Sequence, residues 1–518
     1  MVSIKNIKNI NELIQKNSQN KEKIDKKTML KLKLKVWDKI QTTTNDDLNQ
    51  DENKEYKPTY NKISSFLEDL NKKQEWSLDR VVDAGIWAKC GTCSIVCPKE
   101  IIVLEDYPFL RGECERKGYG TCYEVCPRIS TGSYKIRSLI DIKNEYYSTD
   151  MFSSNLHETS NHILVKLIED NKIDGAIFVG NYKWKPVSMI VTDKEYLEDN
   201  TKEQYAISTL DAIHEAGYMG IEKIAVVGLP CQIAGLRNVQ YFKENTGHNL
   251  QRTPDGQKVK LPKIEYLIGL FCKGKYEHED MYKILQEKSI DIEDVTQFEV
   301  NEFDLTVHTD NDKIAINYDD INPSSGCMVC KDFDAELADI SLGRAGSDKN
   351  HISIISRTEK GRELKEYLNA EEGLDLENLN MHKQIKLDRF NQEVERRVNE
   401  GEDNIYYYIW KHPYCIPGRN GMIHILLPTP IAGYYDADMV IKIAEIAKKY
   451  NGEIKISNRE NFHIENIHPK DIDNLYEELY EIEDLLDFPN PKHLAVCPGN
   501  EFCLSAHKNT RNLAKKMS

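Results

Sequence analysis

Thirteen cysteines occur in the 518 residues of this chain, and twelve of them stand at the spacing of metal ligands. Cys90, Cys93 and Cys97 lie in C-G-T-C-S-I-V-C-P, and Cys114, Cys122 and Cys126 in C-x7-C-Y-E-V-C-P. A [4Fe–4S] cubane takes four thiolates, and in two-cluster ferredoxins the cysteine before proline ligates the other cluster. Cys-x-x-x-Cys-Pro twice is not zinc-ribbon spacing. Two cubanes would need two more thiolates than these six. The missing leading position of the first motif falls on Trp87. A non-cysteine ligand, a three-iron form and a single cluster are all compatible with that count.

A second group is dispersed: Cys231 in GLPC, Cys272 in GLFC, and Cys327 and Cys330 in GCMVC. The first two follow apolar, strand-like runs, where a loop can present a thiolate; ordinary buried thiols would also fit. Cys497 and Cys503, in C-P-G-N-E-F-C, can grip one cluster but supply half its ligands. Cys415 belongs to no motif and reads as a packed thiol.

The compartment follows from the same residues. A large chain rich in cysteine but patterned for metal belongs where thiols stay reduced. The N-terminus is charged and lacks an apolar signal core, and no run is apolar enough to span a membrane. A cytoplasmic location is expected, with no membrane partner. The formal charge of −16 argues against nucleic acid.

Four regions are expected. Residues 1–75 form a polar, partly helical extension; Ile10, Leu13 and Ile14 have helical spacing. Residues 76–135 form a ferredoxin-type iron–sulfur domain. Residues 136–400 alternate strands (AIFVG at 176–180, KIAVVGLP at 223–230) with helices such as 208–217, an α/β pattern. The charged helical stretch 380–403 reads as a linker. Residues 401–518 form an α+β half-module: strand 421–428, helix 436–450, strand 453–457 and helix 468–482. The apolar stripe expected on helix 436–450 is Ala437, Val440, Ile441, Ala444 and Ala447, with Gly452 ending the helix.

Together these motifs resemble the coenzyme F420-dependent sulfite reductases of methanogens from about residue 76 onward. WSLDRVVDAGIWAKCGTCSIVCP…CERKGYGTCYEVCPR looks like their N-terminal ferredoxin module. KIDGAIFVG, GLPCQIAGLRN, GLFC and GCMVCKDFDAELADISLGRAG look like the β subunit of F420-reducing hydrogenases and dehydrogenases. The stretch from Gly421 to Ile467 is similar to the ferredoxin-like half-domain of sulfite and nitrite reductases, and AVCPGNEFC resembles the first cysteine pair of their sirohaem-coupled cluster. The implied fold is α/β and α+β multidomain: a small 2[4Fe–4S] ferredoxin-like module, an α/β F420-dehydrogenase β-subunit-like domain, and a C-terminal sulfite reductase half-domain.

The resemblance implies that Cys231, Cys272, Cys327 and Cys330 hold a [4Fe–4S] cluster. It implies FAD, coenzyme F420 as substrate, and sirohaem, with Arg459 at the sirohaem and sulfite site. The rival reading of Arg459 is a surface arginine in a local ion pair. Three positions depart from the family. Asn155, Leu156, His157 and Glu158 stand where a flavin-proximal glycine pair is usual. Glu465 stands where a second arginine is expected. The second cysteine pair of the reductase motif does not follow Cys503.

The expected function is passage of electrons from reduced F420 through FAD and [4Fe–4S] clusters toward a sulfite reductase-type site. A redox partner or second polypeptide would complete that site, and a homo-oligomer is compatible. The alternative is a non-catalytic electron-transfer or docking subunit, or a truncated relic.

Overall fold

A computed structural model describes residues 78–97, 99–104, 107–114, 121–129, 140–152, 155–182, 184–200, 202–203, 210–246, 261–321, 323–399, 412, 414–417, 422–428, 435–456, 461–482 and 485. All lie in one compact unit, Tyr60–Ser518. The extension expected at 1–75, together with Arg459, Cys497 and Cys503, lies outside the described residues.

The first cysteines sit on single helical turns, Thr92–Ile95 and Thr121–Glu124, beside a hairpin of β1 (Ile102–Leu104) and β2 (Pro108–Leu110). Turns this short do not persist alone. They are held by a core of Val81, Ile86, Val96, Val125 and Ile129, which is continuous with the apolar residues of the C-terminal half-module.

The middle of the chain builds an eight-stranded sheet. Its strands are β3 (Glu145–Thr149), β4 (Gly175–Tyr182), β5 (Lys185–Val191), β6 (Lys223–Gly228), β7 (Lys263–Leu270), β11 (Ile340–Gly343), β12 (Ile352–Ser356) and β13 (Glu371–Glu372), in the order β13-β3-β12-β11-β7-β6-β4-β5. β4, β6, β7 and β11 run parallel. Their near-continuous apolar sequence, as in Ile224–Val227, follows from cover on both faces. Helices Leu156–Glu169 and Glu359–Lys365 cover one face. Helices Ala212–Tyr218 and Pro230–Thr246 cover the other. Between β7 and β11 a three-stranded antiparallel sheet, β8 (Val295–Val300), β9 (Asp304–Thr309) and β10 (Lys313–Asn317), packs its own core around Phe298 and Trp184.

The last module is a four-stranded antiparallel sheet, β14 (Cys415–Pro417), β15 (Ile423–Leu426), β16 (Glu453–Ile456) and β17 (Phe462–Ile467), ordered β14-β15-β17-β16. Helices Ala437–Lys449 and Ile472–Tyr480 accompany it. Cys415 is fully buried and donates to the Tyr476 hydroxyl at 3.3 Å, a packed thiol as expected.

Three expectations need correction. The buried stripe of Ala437–Lys449 is Ile443, Ile446 and Ala447, flanked by Met439 and Tyr450; Ala437, Ile441 and Ala444 face outward. Both stripes have helical spacing, and the bulkier one buries more apolar area. Asn451, at φ 53°, makes the left-handed turn that ends this helix, not Gly452. The stretch 380–403 is no linker: helix Leu376–Asn399 packs into the protein along Leu379, His382, Lys386, Phe390, Glu393 and Arg397. Composition alone assigns such polar residues to solvent, but here each polar member has a partner.

Candidate functional site

The dispersed cysteines converge. Cys231 follows β6 at the start of helix Pro230–Thr246, and Cys272 follows β7. These are the carboxyl ends of adjacent parallel strands, where open α/β sheets place their sites. Cys327 and Cys330 come from the turn Ser325–Met328 and the residues after it. Ser324 Oγ and the Lys275 N–H both donate to Cys327 Sγ at 3.3 Å. Cys272, Cys327 and Cys330 are buried. Charge on Cys327 and Cys272 bears on Cys231, and charge on Cys327 and Cys330 bears on Cys272.

Buried cations surround this set. Lys386 Nζ, 4% exposed, donates to the carbonyls of Cys272 (2.5 Å) and Asp332 (2.7 Å). Arg389 Nη2 donates to the Lys273 carbonyl at 2.5 Å. Arg128 Nη2 donates to the Gly326 carbonyl at 2.8 Å, and the guanidinium also bonds Cys330. Burial pushes the bare thiol of Cys272 up to about 11 and that of Cys231 well above its ordinary value. Burial raises Cys330 as well, but Lys386 and Arg128 overcome it and bring that thiol down to about 6. Among the described residues no three His, Cys, Asp or Glu side chains close on the volume of a single metal ion. A cubane spreads its thiolates further apart. Four thiols and three cations around one point suit an anionic cluster.

The N-terminal cysteines form a second set beside the first. Cys90, Cys93, Cys97, Cys122 and Cys126 are buried, and Cys114 is partly so. Burial raises Cys93, and the charges of Cys90, Cys126 and Cys122 add to it. Burial and Cys90 push Cys126 up to about 12. Both Cys122 and Cys126 of the second motif thus sit with the first. Trp87, at the missing leading position, stacks on Tyr107 at 5.9 Å and carries no ligating atom.

The two sets abut. The charge of Cys90 bears on Cys231 more strongly than that of Cys327 or Cys272. Helix Pro230–Thr246, which begins at Cys231, rests on the other set's turns: Asn238 Nδ2 donates to the Val125 carbonyl at 3.0 Å, and Gly235 lies against Thr92 so closely that a Cβ would collide with its hydroxyl. Gly326 meets the Trp87 carbonyl in the same way.

Residues 161–214 match the N-terminal part, and residues 221–382 the C-terminal part, of the family described as coenzyme F420 hydrogenase/dehydrogenase, beta subunit. Residues 416–482 match the family described as "Nitrite/Sulfite reductase ferredoxin-like half domain". The coenzyme F420-dependent sulfite reductase of Methanocaldococcus jannaschii is 41% identical over 450 residues, covering 85% of this chain and 72% of that protein. The chain belongs to the F420-dependent sulfite reductase family. The β subunit of coenzyme F420 hydrogenase from Methanothermobacter thermautotrophicus is 28% identical over 38% of this chain and 69% of its own length. A solved chain of the F420-reducing [NiFe] hydrogenase complex of Methanosarcina barkeri is 22% identical, with a TM-score of 0.41 over 49% of this chain and 91% of that one.

Two departures from the F420-dependent sulfite reductase pattern acquire a structural role. Where a glycine pair is usual, Asn155 caps helix Leu156–Glu169 by accepting from the Glu158 N–H at 2.9 Å. The Leu156 N–H donates to buried Glu203 (2.7 Å), which also accepts from the Val300 N–H and Arg344 at 2.8 Å. The chain's own carboxylate therefore fills this helix start, and the residues do not fit a flavin phosphate there. Glu465, where an arginine is usual, lies 3.4 Å from Lys455 on the neighbouring strand. The residues that the resemblance assigns to sirohaem, Arg459, Cys497 and Cys503, lie outside the described residues.

Sequence reasoning missed Arg128, Lys386 and Arg389. Arg128 follows Cys126-Pro127 directly, and Lys386 shares a helical stripe with Leu379 and Phe390; either signal was readable. Among the described residues no helix is long and apolar enough to cross a membrane.

Proposed function

We propose that this protein is an iron–sulfur oxidoreductase that takes electrons from reduced F420 and relays them between two neighbouring cysteine-held centres. Cys231, Cys272, Cys327 and Cys330 hold one [4Fe–4S] cluster. Cys90, Cys93, Cys97, Cys114, Cys122 and Cys126 serve the ferredoxin-type module at 76–135. When bound, the clusters supply one-electron storage at low potential. The chain's residues bury them, surround one with cations and fix their separation.

The observation that carries this reading is the packing of helix Pro230–Thr246, which begins at Cys231, against Thr92 and Val125 of the ferredoxin-type module. Two centres so placed can exchange electrons without a diffusing carrier. The family's F420 chemistry and the match at 221–382 support reduced F420 as donor. The match at 416–482 supports a sulfite reductase-type acceptor site, with Arg459, Cys497 and Cys503 as its residues and a second polypeptide completing it. The filled helix start at Asn155–Glu158 favours a second reading, an electron-transfer subunit without its own flavin.

Anaerobic purification with iron, flavin and sirohaem quantified together separates these readings. The F420-linked enzyme requires iron and about one flavin per chain, since a hydride donor must be split into single electrons. The electron-transfer subunit requires iron alone. Iron-free protein would overturn both.

A further inference from the structure

We infer that Arg128 is a positioning residue that reaches from the ferredoxin-type module to the Cys231/Cys272/Cys327/Cys330 centre and raises its reduction potential. This rests on the proposal that those cysteines hold a cluster. Three observations lead to it. First, Arg128 follows Cys126-Pro127, so the turn that carries a ligand of one set also fixes this side chain. Second, its guanidinium is 8% exposed and, although its charge also bears on Cys126, its hydrogen bonds go to the other set. It donates to the carbonyls of Gly326 (2.8 Å) and Val329 (3.4 Å), which bracket Cys327, and it bonds the Cys330 thiol. Third, the facing helix Leu376–Asn399 contributes Lys386 and Arg389 beside the same cysteines, so Arg128 is the cation that the other module supplies.

Burying a guanidinium is costly unless an anion compensates it. Asp332 and Asp334 lie on the Lys386 side, and Asp334 is paired with Arg357 at 2.9 Å. The anion that faces Arg128 is the thiolate set itself. A cubane held by four thiolates is a net anion and becomes more negative on accepting an electron. A fixed cation at its sulfur therefore favours the reduced form. A carbonyl-clamped fork holds that charge in place, and docking of the two modules brings it there. The centre would then be composite: its ligands come from one module and part of its electrostatics from the other.

The test is a redox titration of the whole chain, purified anaerobically and followed by electron paramagnetic resonance. The signal of this centre is the one lost in Cys327→Ala/Cys330→Ala. In Arg128→Gln its reduction equilibrium should fall tenfold or more, 59 mV for one electron, with iron content unchanged and a smaller shift in the other signals. Arg128→Lys keeps the charge and should restore most of the shift. An unchanged midpoint in iron-replete Arg128→Gln would overturn the inference. If Arg128→Gln loses iron, Arg128→Lys decides: a wild-type midpoint supports the charge, whereas loss of iron there too makes Arg128 a structural clamp. If Cys327→Ala/Cys330→Ala retains all iron and every signal, the underlying cluster assignment fails, whatever Arg128 does.

Discussion

His157 shows how one side chain can carry a pH signature. It lies in the stretch Asn155–Glu158, where a glycine pair is usual, and its ring packs on Phe178 at 5.8 Å. Burial lowers it to about 4, because water cannot solvate the charged imidazole. The unfolded chain therefore binds this proton near pH 6.5, and the folded chain does not until near pH 4. Stability from this group is full above about pH 6.5 and is lost as pH falls toward 4. The ring keeps some contact with water, so the loss is on the order of 2 kcal/mol. His157→Gln should flatten the acid limb of a denaturation series run from about pH 7 to pH 5. Parallel limbs in the two proteins would refute the assignment. The sequence showed His157 only as a departure from a pattern; its titration depends on Phe178, which arrives from a separate strand.

Among the elements, helix Leu376–Asn399 does most to join the parts. Arg397 donates to the carbonyls of Gly85 (3.2 Å) and Ser325 (3.1 Å) and pairs with Glu393 at 2.6 Å. One side chain thus ties the N-terminal module to the turn of Cys327. Arg397→Ala should cost on the order of 3 kcal/mol, because Glu393 and the carbonyls stay buried. Chemical denaturation measures this, and a loss under about 0.5 kcal/mol would contradict it. Gly326→Ala tests the same junction from the other side. Its Cβ would strike the Trp87 carbonyl, so a loss of about 1–3 kcal/mol is expected, read as an earlier denaturation midpoint.

Element boundaries show what the sequence could supply. β4, β6 and the helices of the half-module were readable from apolar runs and helical period, since local burial determines those patterns. The inward face of Ala437–Lys449 and the packing of Leu376–Asn399 were not. Two stripes compete on the first helix, and the second buries polar residues whose partners come from distant parts of the chain.

For the whole molecule, the cysteine motifs gave the number and grouping of candidate ligands, and the fold adds their juxtaposition. Nothing in C-x-x-C spacing places Cys90 beside Cys231, or Arg128 beside Cys330; chain crossings between modules do that. If the dispersed set holds a cubane, Cys327→Ala/Cys330→Ala should lower iron by about four atoms per chain while the ferredoxin-type signals persist. Unchanged iron would remove that centre from the account.

The most direct test of the central claim is anaerobic mixing of the purified, iron-loaded protein with reduced F420, following visible iron–sulfur absorbance. An F420-linked relay predicts bleaching by reduced F420 that dithionite barely extends. Bleaching by dithionite with no response to reduced F420 would contradict it.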